Sequence, residues 1–242
     1  MNNNKNETTQ LFFLVSFVCI SIFFISASSD KISSNEGFKI EPNDSVRIYE
    51  IKMDTLLSER KFLRLQLFDR QAFIEDDQTL ISYNYCNSKE ECNSIVSPKM
   101  NKDRIIKFPN AEITGQIVKP DSHWMHPPRS EYFRILELNA YPYFVKNKKE
   151  WSYDLNFGEH WGDERWITWE GRRTSYSTYK LGNTKVDYDL GKEKIKCSKI
   201  IAHTKIEGLG KTKSIFYYNE EYGFVYMSFK TINNQIIEFK ML

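Results

Sequence analysis

An all-β or mainly β chain is predicted, its strands forming an antiparallel curved sheet, an open barrel or a sandwich behind an N-terminal signal or anchor segment. Three observations carry this prediction. Short runs that alternate apolar and polar residues recur along almost the whole chain, turn-forming residues separate them at hairpin spacing, and only one short stretch, 53–61, suits a helix.

The chain begins with a polar decapeptide followed by an apolar run over 11–25, 15 residues long. That length falls short of the roughly 20 residues that span a bilayer and matches the core of an export signal. Ser26 and Ser28 supply small residues where a signal peptidase cuts, which places a signal peptide at 1–28. The leading segment holds only Lys5 and the α-amino group against Glu7, a weak positive charge for a signal. An uncleaved anchor therefore stays open, since extending the run through Ala27 gives 17 residues, the bottom of the spanning range. Both readings send the globular part out of the cytoplasm, to the periplasm, the envelope or beyond, and membrane contact is expected only if the segment is uncleaved. Cys19 reads as apolar filler, because Val18 is too bulky to precede a lipidated cysteine.

A polar leader occupies 29–44, and strands follow at 46–51, 62–68, 80–85, 104–108, 112–118, 132–138, 151–157 and 166–181. The last third is the clearest: runs at 184–190, 195–204, 212–218, 224–229 and 236–241 are spaced as an antiparallel meander demands, with turns at 219–223 and 233–234. Residues 119–130 carry three of the seven prolines and read as a connection, because proline cannot donate to a strand ladder. This divides the chain into an N-terminal β unit at 45–118 and a C-terminal antiparallel sheet at 131–242. No internal repeat is visible.

Cysteine use agrees with export. Cys86 and Cys92 bracket Asn-Ser-Lys-Glu-Glu, a polar segment expected to be an exposed loop, and in an oxidising compartment a disulfide would close it. The spacing is too wide for a typical zinc knuckle. Cys197 lies on a strand face with Ile195 and reads as a buried small hydrophobe. The formal net charge is +2, with basic and acidic residues interspersed, so nucleic acid is not an expected partner. Abundant Asn, Lys, Ile, Phe and Tyr with only 10 Gly match an AT-rich, bacterial genome.

The stretch from His126-Pro127-Pro128-Arg129 through 135–139 and Tyr141-Pro142, then Trp161-Gly162-Asp163, Trp166 and Trp169-Glu170-Gly171, resembles uncharacterised exported proteins of Bacteroidetes-type bacteria. The tail, with Tyr217-Tyr218-Asn219-Glu220-Glu221-Tyr222-Gly223, is similar to the closing hairpins of β-rich envelope proteins of curved-sheet or barrel type. These likenesses imply a fold and transfer no catalytic residue.

All five tryptophans fall between 124 and 169. Trp161, Trp166 and Trp169, interleaved with carboxylates, have the composition of a sugar-stacking platform, while the same rings equally serve a core. On a strand, Trp166 and Trp169 would face opposite ways, which favours packing for at least one. His123 and His126, with His160, could be imagined as zinc ligands of a hydrolase, but the pair sits on a proline-flanked loop that fixes no common focus. No nucleophile elbow, phosphate loop or dinucleotide fingerprint is present, so neither a catalytic residue nor a cofactor is assigned. The expectation is non-enzymatic binding of an apolar small molecule or lipid, since strands rich in Ile, Phe and Tyr can line a cavity as well as fill it. A carbohydrate-binding module and a metal-dependent hydrolase are the alternatives.

Overall fold

A computed structural model of the chain describes residues 45–53, 61–71, 77–96 and 111–242. The expected signal or anchor at 1–28, the leader at 29–44 and the strand at 104–108 lie outside those residues. So do residues 54–60 of the expected helix, whose Met53 instead closes the first strand.

Among the described residues, twelve strands form one antiparallel sheet. They are β1 (Val46–Met53), β2 (Phe62–Gln71), β3 (Gln78–Cys86), β4 (Ala111–Lys119), β5 (Ser122–Met125), β6 (Tyr143–Val145), β7 (Glu150–Phe157), β8 (Arg173–Asp189), β9 (Lys194–Ile206), β10 (Gly210–Asn219), β11 (Gly223–Lys230) and β12 (Ile236–Met241). Their order is β6-β5-β4-β3-β2-β1-β12-β11-β10-β9-β8-β7. Every neighbouring pair but one is consecutive in the chain, so two meanders meet where β1 pairs with β12, Tyr49 opposite Met241 and Met53 opposite Ile237. The stretches 45–118 and 131–242 therefore contribute to a single sheet.

A sheet of this width twists and curls, and it forms a nearly closed barrel. Its two edges, β6 and β7, are joined by residues 146–149, where Asn147 takes the left-handed conformation at φ 62°. Rings rather than a ladder bridge this seam: Tyr143 of β6 meets Trp151 and Tyr153 of β7 edge to face at 6.4 and 6.0 Å.

Alternation explains the walls. Ser175, Ser177 and Tyr179 of β8, Ile200, Ala202, Thr204 and Ile206 of β9, and Thr212, Ser214, Phe216 and Tyr218 of β10 point inward and are buried, while the residues between them face solvent or its margin. Two runs expected as separate strands, 166–181 and 184–190, are in fact one strand that starts at Arg173. Its register shifts between Leu181 and Lys185, and Gly182 stands at the irregularity, where a Cβ would lie 3.3 Å from the Lys199 carbonyl oxygen.

The barrel is filled by its own chain. Residues 133 and 135–142 are buried without a break, and Arg134–Leu138 forms a 3₁₀ turn instead of the expected strand. Ile135, Leu136, Glu137 and Leu138 are buried in succession, so beyond half-buried Arg134 this segment has no solvent face and no period of two to keep. With no strand beside it, its backbone finds partners locally and on the walls. Leu136 N–H donates to Phe133 O, and the hydroxyls of Tyr179 and Thr212 donate to the carbonyls of Tyr141 and Leu138, while those of Tyr83 and Tyr85 hold the approaching chain at the carbonyls of His126 and Arg129. The rings of Phe133, Phe239, Phe229 and Phe216 continue the core, each 5.5 to 6.1 Å from the next.

Two further expectations change. Ser122–Met125, inside the segment expected to be a connection, is a strand, because its prolines stand outside it at 120, 127 and 128 and His123 and Met125 alternate inward. The loop expected between Cys86 and Cys92 is mostly a helical turn, α1 (Lys89–Ser94). Reciprocal capping explains it: Ser88 Oγ accepts from Glu91 N–H at 3.1 Å, and Glu91 Oε2 reaches back one residue past the cap to accept from Asn87 N–H at 2.8 Å. The turn brings the two cysteines to disulfide distance, their Cα atoms 5.5 Å apart and both side chains buried. Cys197 is a buried free thiol.

Candidate functional site

The β5–β6 edge is packed on both faces. On one, Phe144 stacks on Tyr218 at 4.2 Å, and His123 lies against Tyr218 and Phe224 at 5.7 and 5.1 Å. On the other, Tyr143 meets Tyr179 of β8 at 5.8 Å, and Trp124 meets Tyr153 of β7 at 6.2 Å. Between this second face and β7 a groove of about 400 Å³ remains, within the ~300 to 1,000 Å³ range of small-molecule sites.

One register row builds its floor. Gln78 of β3 lies opposite Ile117 of β4, Ile117 opposite Trp124 of β5, and Trp124 opposite Tyr143 of β6. Because cross-strand partners share a face, four residues distant in sequence become one continuous strip. Tyr153 and Leu155 supply the facing wall, and Trp161, on the 3₁₀ turn Glu159–Trp161, closes one end.

The groove is electrically quiet. His126 lines it, and burial pushes its pKa down to about 4, so the ring is neutral at physiological pH. Its Nδ1 lies 3.0 Å from the Pro127 carbonyl and must donate there, which leaves Nε2 as the acceptor nitrogen. Burial also raises Tyr141 well above the ordinary phenol value. The cation at the rim, Lys119, is held by Asp77 at 2.8 Å. The buried indole N–H of Trp124 has no acceptor among the described residues. This is a neutral aromatic slot with a few polar atoms.

The structure separates the three tryptophans singled out from the sequence. Trp161 stacks on Phe157 with centroids 5.1 Å apart and reaches the groove. Trp169, only 9% exposed, meets the other side of that cluster, edge to face with Phe157 at 5.4 Å. Trp166 sits in the loop closed by the Asp163–Ile167 bridge, with the Arg165 guanidinium 4.9 Å above its ring and bidentate to Asp163. The three rings do not form one platform. Trp124, Tyr141, Tyr143 and Tyr153 complete the groove, and the alternation of Trp151, Tyr153 and Leu155 was the available sign of a shared face.

His123 and His126 do not converge either. His123 is fully buried, its Nε2 3.0 Å from Gln116 Oε1, and His126 projects from the opposite side of the same short segment. Among the described residues no group of three or more His, Cys, Asp or Glu is placed to hold a metal. No helix among them is long and apolar enough to cross a membrane.

No family model and no curated protein matches the chain. Among solved structures it is similar to a Bacteroides fragilis NCTC 9343 protein described as exported and of YmcC-like fold, at 10% identity over 81% of this chain and 92% of that one, with a TM-score of 0.39.

Proposed function

We propose that this chain is an exported, non-enzymatic binding protein that holds a small, uncharged, apolar or amphipathic molecule in the seam groove. The N-terminal run over 11–25 supports export. The carrying observation for binding is the strip Gln78–Ile117–Trp124–Tyr143 facing Tyr153 and Trp161 across about 400 Å³. The barrel interior is occupied by residues 133–142, so the groove replaces the lumen as the place for a ligand.

A glycan is the second reading, favoured by one observation: Trp161 presents an aromatic face to a groove whose other side holds Gln78, Ser122 and Lys119. No observation favours the hydrolase.

Titration with N-phenyl-1-naphthylamine, a neutral apolar fluorophore, tests the proposal. Saturable binding with energy transfer from tryptophan, weakened about tenfold or more by Tyr153→Ala or Trp161→Ala in variants that stay folded at the assay temperature, is the expected result. Absence of saturable binding, or binding indifferent to both substitutions, overturns it. Retention on an insoluble glycan that Trp161→Ala abolishes, without naphthylamine binding, moves the assignment to carbohydrate.

A further inference from the structure

The outer face of β8 to β12 concentrates cations that the sequence disperses. Lys205 of β9 lies directly opposite Lys211 of β10, and Lys213 of β10 lies opposite both His203 of β9 and Lys230 of β11. All five side chains are exposed. Like charges directly opposite one another on a sheet are destabilising, and no described carboxylate pairs with any of the four lysines. Of the neighbouring acids, Glu150 pairs with Lys180 at 3.0 Å and Glu238 accepts from the Tyr226 hydroxyl, while exposed Glu207 stands at the hairpin end of the patch, two residues beyond Lys205, without an ion pair to it. Asp154 lies only at the rim, beyond Tyr176.

The register also sets exposed apolar side chains at the ends of the patch. Tyr176, 47% exposed, is the cross-strand partner of Lys205, and Ile236, 40% exposed, is the partner of Lys230. Two parallel rows result, Tyr176–Lys205–Lys211 and His203–Lys213–Lys230–Ile236. A convex barrel face offers no channel to track a linear polyanion. It can rest on a flat surface, where lysines meet headgroup phosphates and the flanking Tyr and Ile dip into the interface.

We infer that this face docks the protein on a bilayer surface rich in anionic phospholipid. It is independent of the seam groove, which opens between β5–β6 and β7.

Flotation of the full chain with phosphatidylcholine vesicles, with and without phosphatidylglycerol, tests the inference. Binding to the neutral vesicles gives the contribution of the apolar run at 11–25, and the increment produced by phosphatidylglycerol is the readout. The increment is expected to fall about tenfold or more when Lys205, Lys211, Lys213 and Lys230 are all changed to Gln, and to collapse as salt rises. A control in which Lys61, Lys89, Lys148 and Lys192, all exposed and all off strands β8 to β12, become Gln removes the same net charge outside the patch and should retain most of it. Equal loss in both variants, or no increment at all, overturns the inference. Failure on vesicles with patch-dependent retention on alginate beads overturns it in favour of an acidic polysaccharide.

Discussion

Tyr179 of β8 donates its hydroxyl to the carbonyl of Tyr141 at 3.0 Å, tying the barrel wall to the segment that fills it. The same logic recurs at Thr212 of β10, whose hydroxyl donates to the Leu138 carbonyl, and at Tyr83 of β3, which holds the His126 carbonyl where the chain approaches. The filling segment is thus held by specific polar contacts as well as by apolar burial. The interior is therefore committed to structure.

Asn139 tests that commitment. Its buried side-chain amide lies 3.1 to 3.3 Å from the carbonyls of Lys230 and Lys213 and from Ser214 Oγ, joining the filling segment to β10 and β11. Asn139→Ala should cost about 1 to 3 kcal/mol in urea unfolding, because it removes the donor from those acceptors. Asn139→Asp should cost more, since a carboxylate would face three oxygens. An Asp variant as stable as the Ala variant would show that the amide does not hold the segment.

Stability should fall in mild acid. Burial lowers His123 to about 3 and His126 to about 4, against an ordinary value of 6.5. The unfolded chain therefore takes up protons that the folded chain refuses, and stability rises with pH across the window from about 3 to 6.5 for His123 and about 4 to 6.5 for His126. At pH 5 the fully buried His123 alone should cost about 2 kcal/mol relative to pH 7.5. Urea midpoints at the two pH values check the sign, and His126→Gln should reduce the difference. A pH-independent midpoint would refute the burial of both rings.

The thiols should behave differently from one another. Burial pushes Cys197 up to about 11, so its thiolate is scarce and shielded, whereas Cys86 and Cys92 sit at disulfide distance. Iodoacetamide labelling followed by peptide mapping should leave Cys197 unmodified until the protein is denatured. Cys86 and Cys92 should become modified only after denaturation with reductant, and reduction should cost about 2 kcal/mol for so short a loop. Modification of Cys197 in the native protein would contradict its placement.

Much of this architecture was legible wherever a strand kept one wet and one dry face. Thr204 and Thr212 alternate with lysines on β9 and β10, and that contrast marks their faces in the sequence. The expected strand at 132–138 misled because its second half, 135–138, is buried on all sides and has no solvent-facing phase to reveal its period. Ser122–Met125 was hidden by prolines that flank it without entering it. The helical turn carried a readable sign, Ser88 three residues before Glu91. The groove was not legible, because it depends on the register that aligns Ile117, Trp124 and Tyr143, and register between distant strands is set by the assembled sheet. The cation rows were hidden for the same reason.

Trp169 and Trp161 flank one ring, Phe157, yet substitutions there should separate stability from binding. Trp169 is almost fully buried beside Leu138 and Ile206, so Trp169→Ala loses both transfer energy and packing and should cost about 3 to 5 kcal/mol. Trp161 covers Phe157 from the groove side and keeps part of its ring in solvent, so Trp161→Ala should cost distinctly less. In calorimetry, Trp169→Ala should melt many degrees below the parent while Trp161→Ala stays close to it. If naphthylamine binding follows the melting temperature in both variants, the groove depends on core integrity alone. If it is lost in Trp161→Ala while the fold persists, Trp161 is a wall of the site.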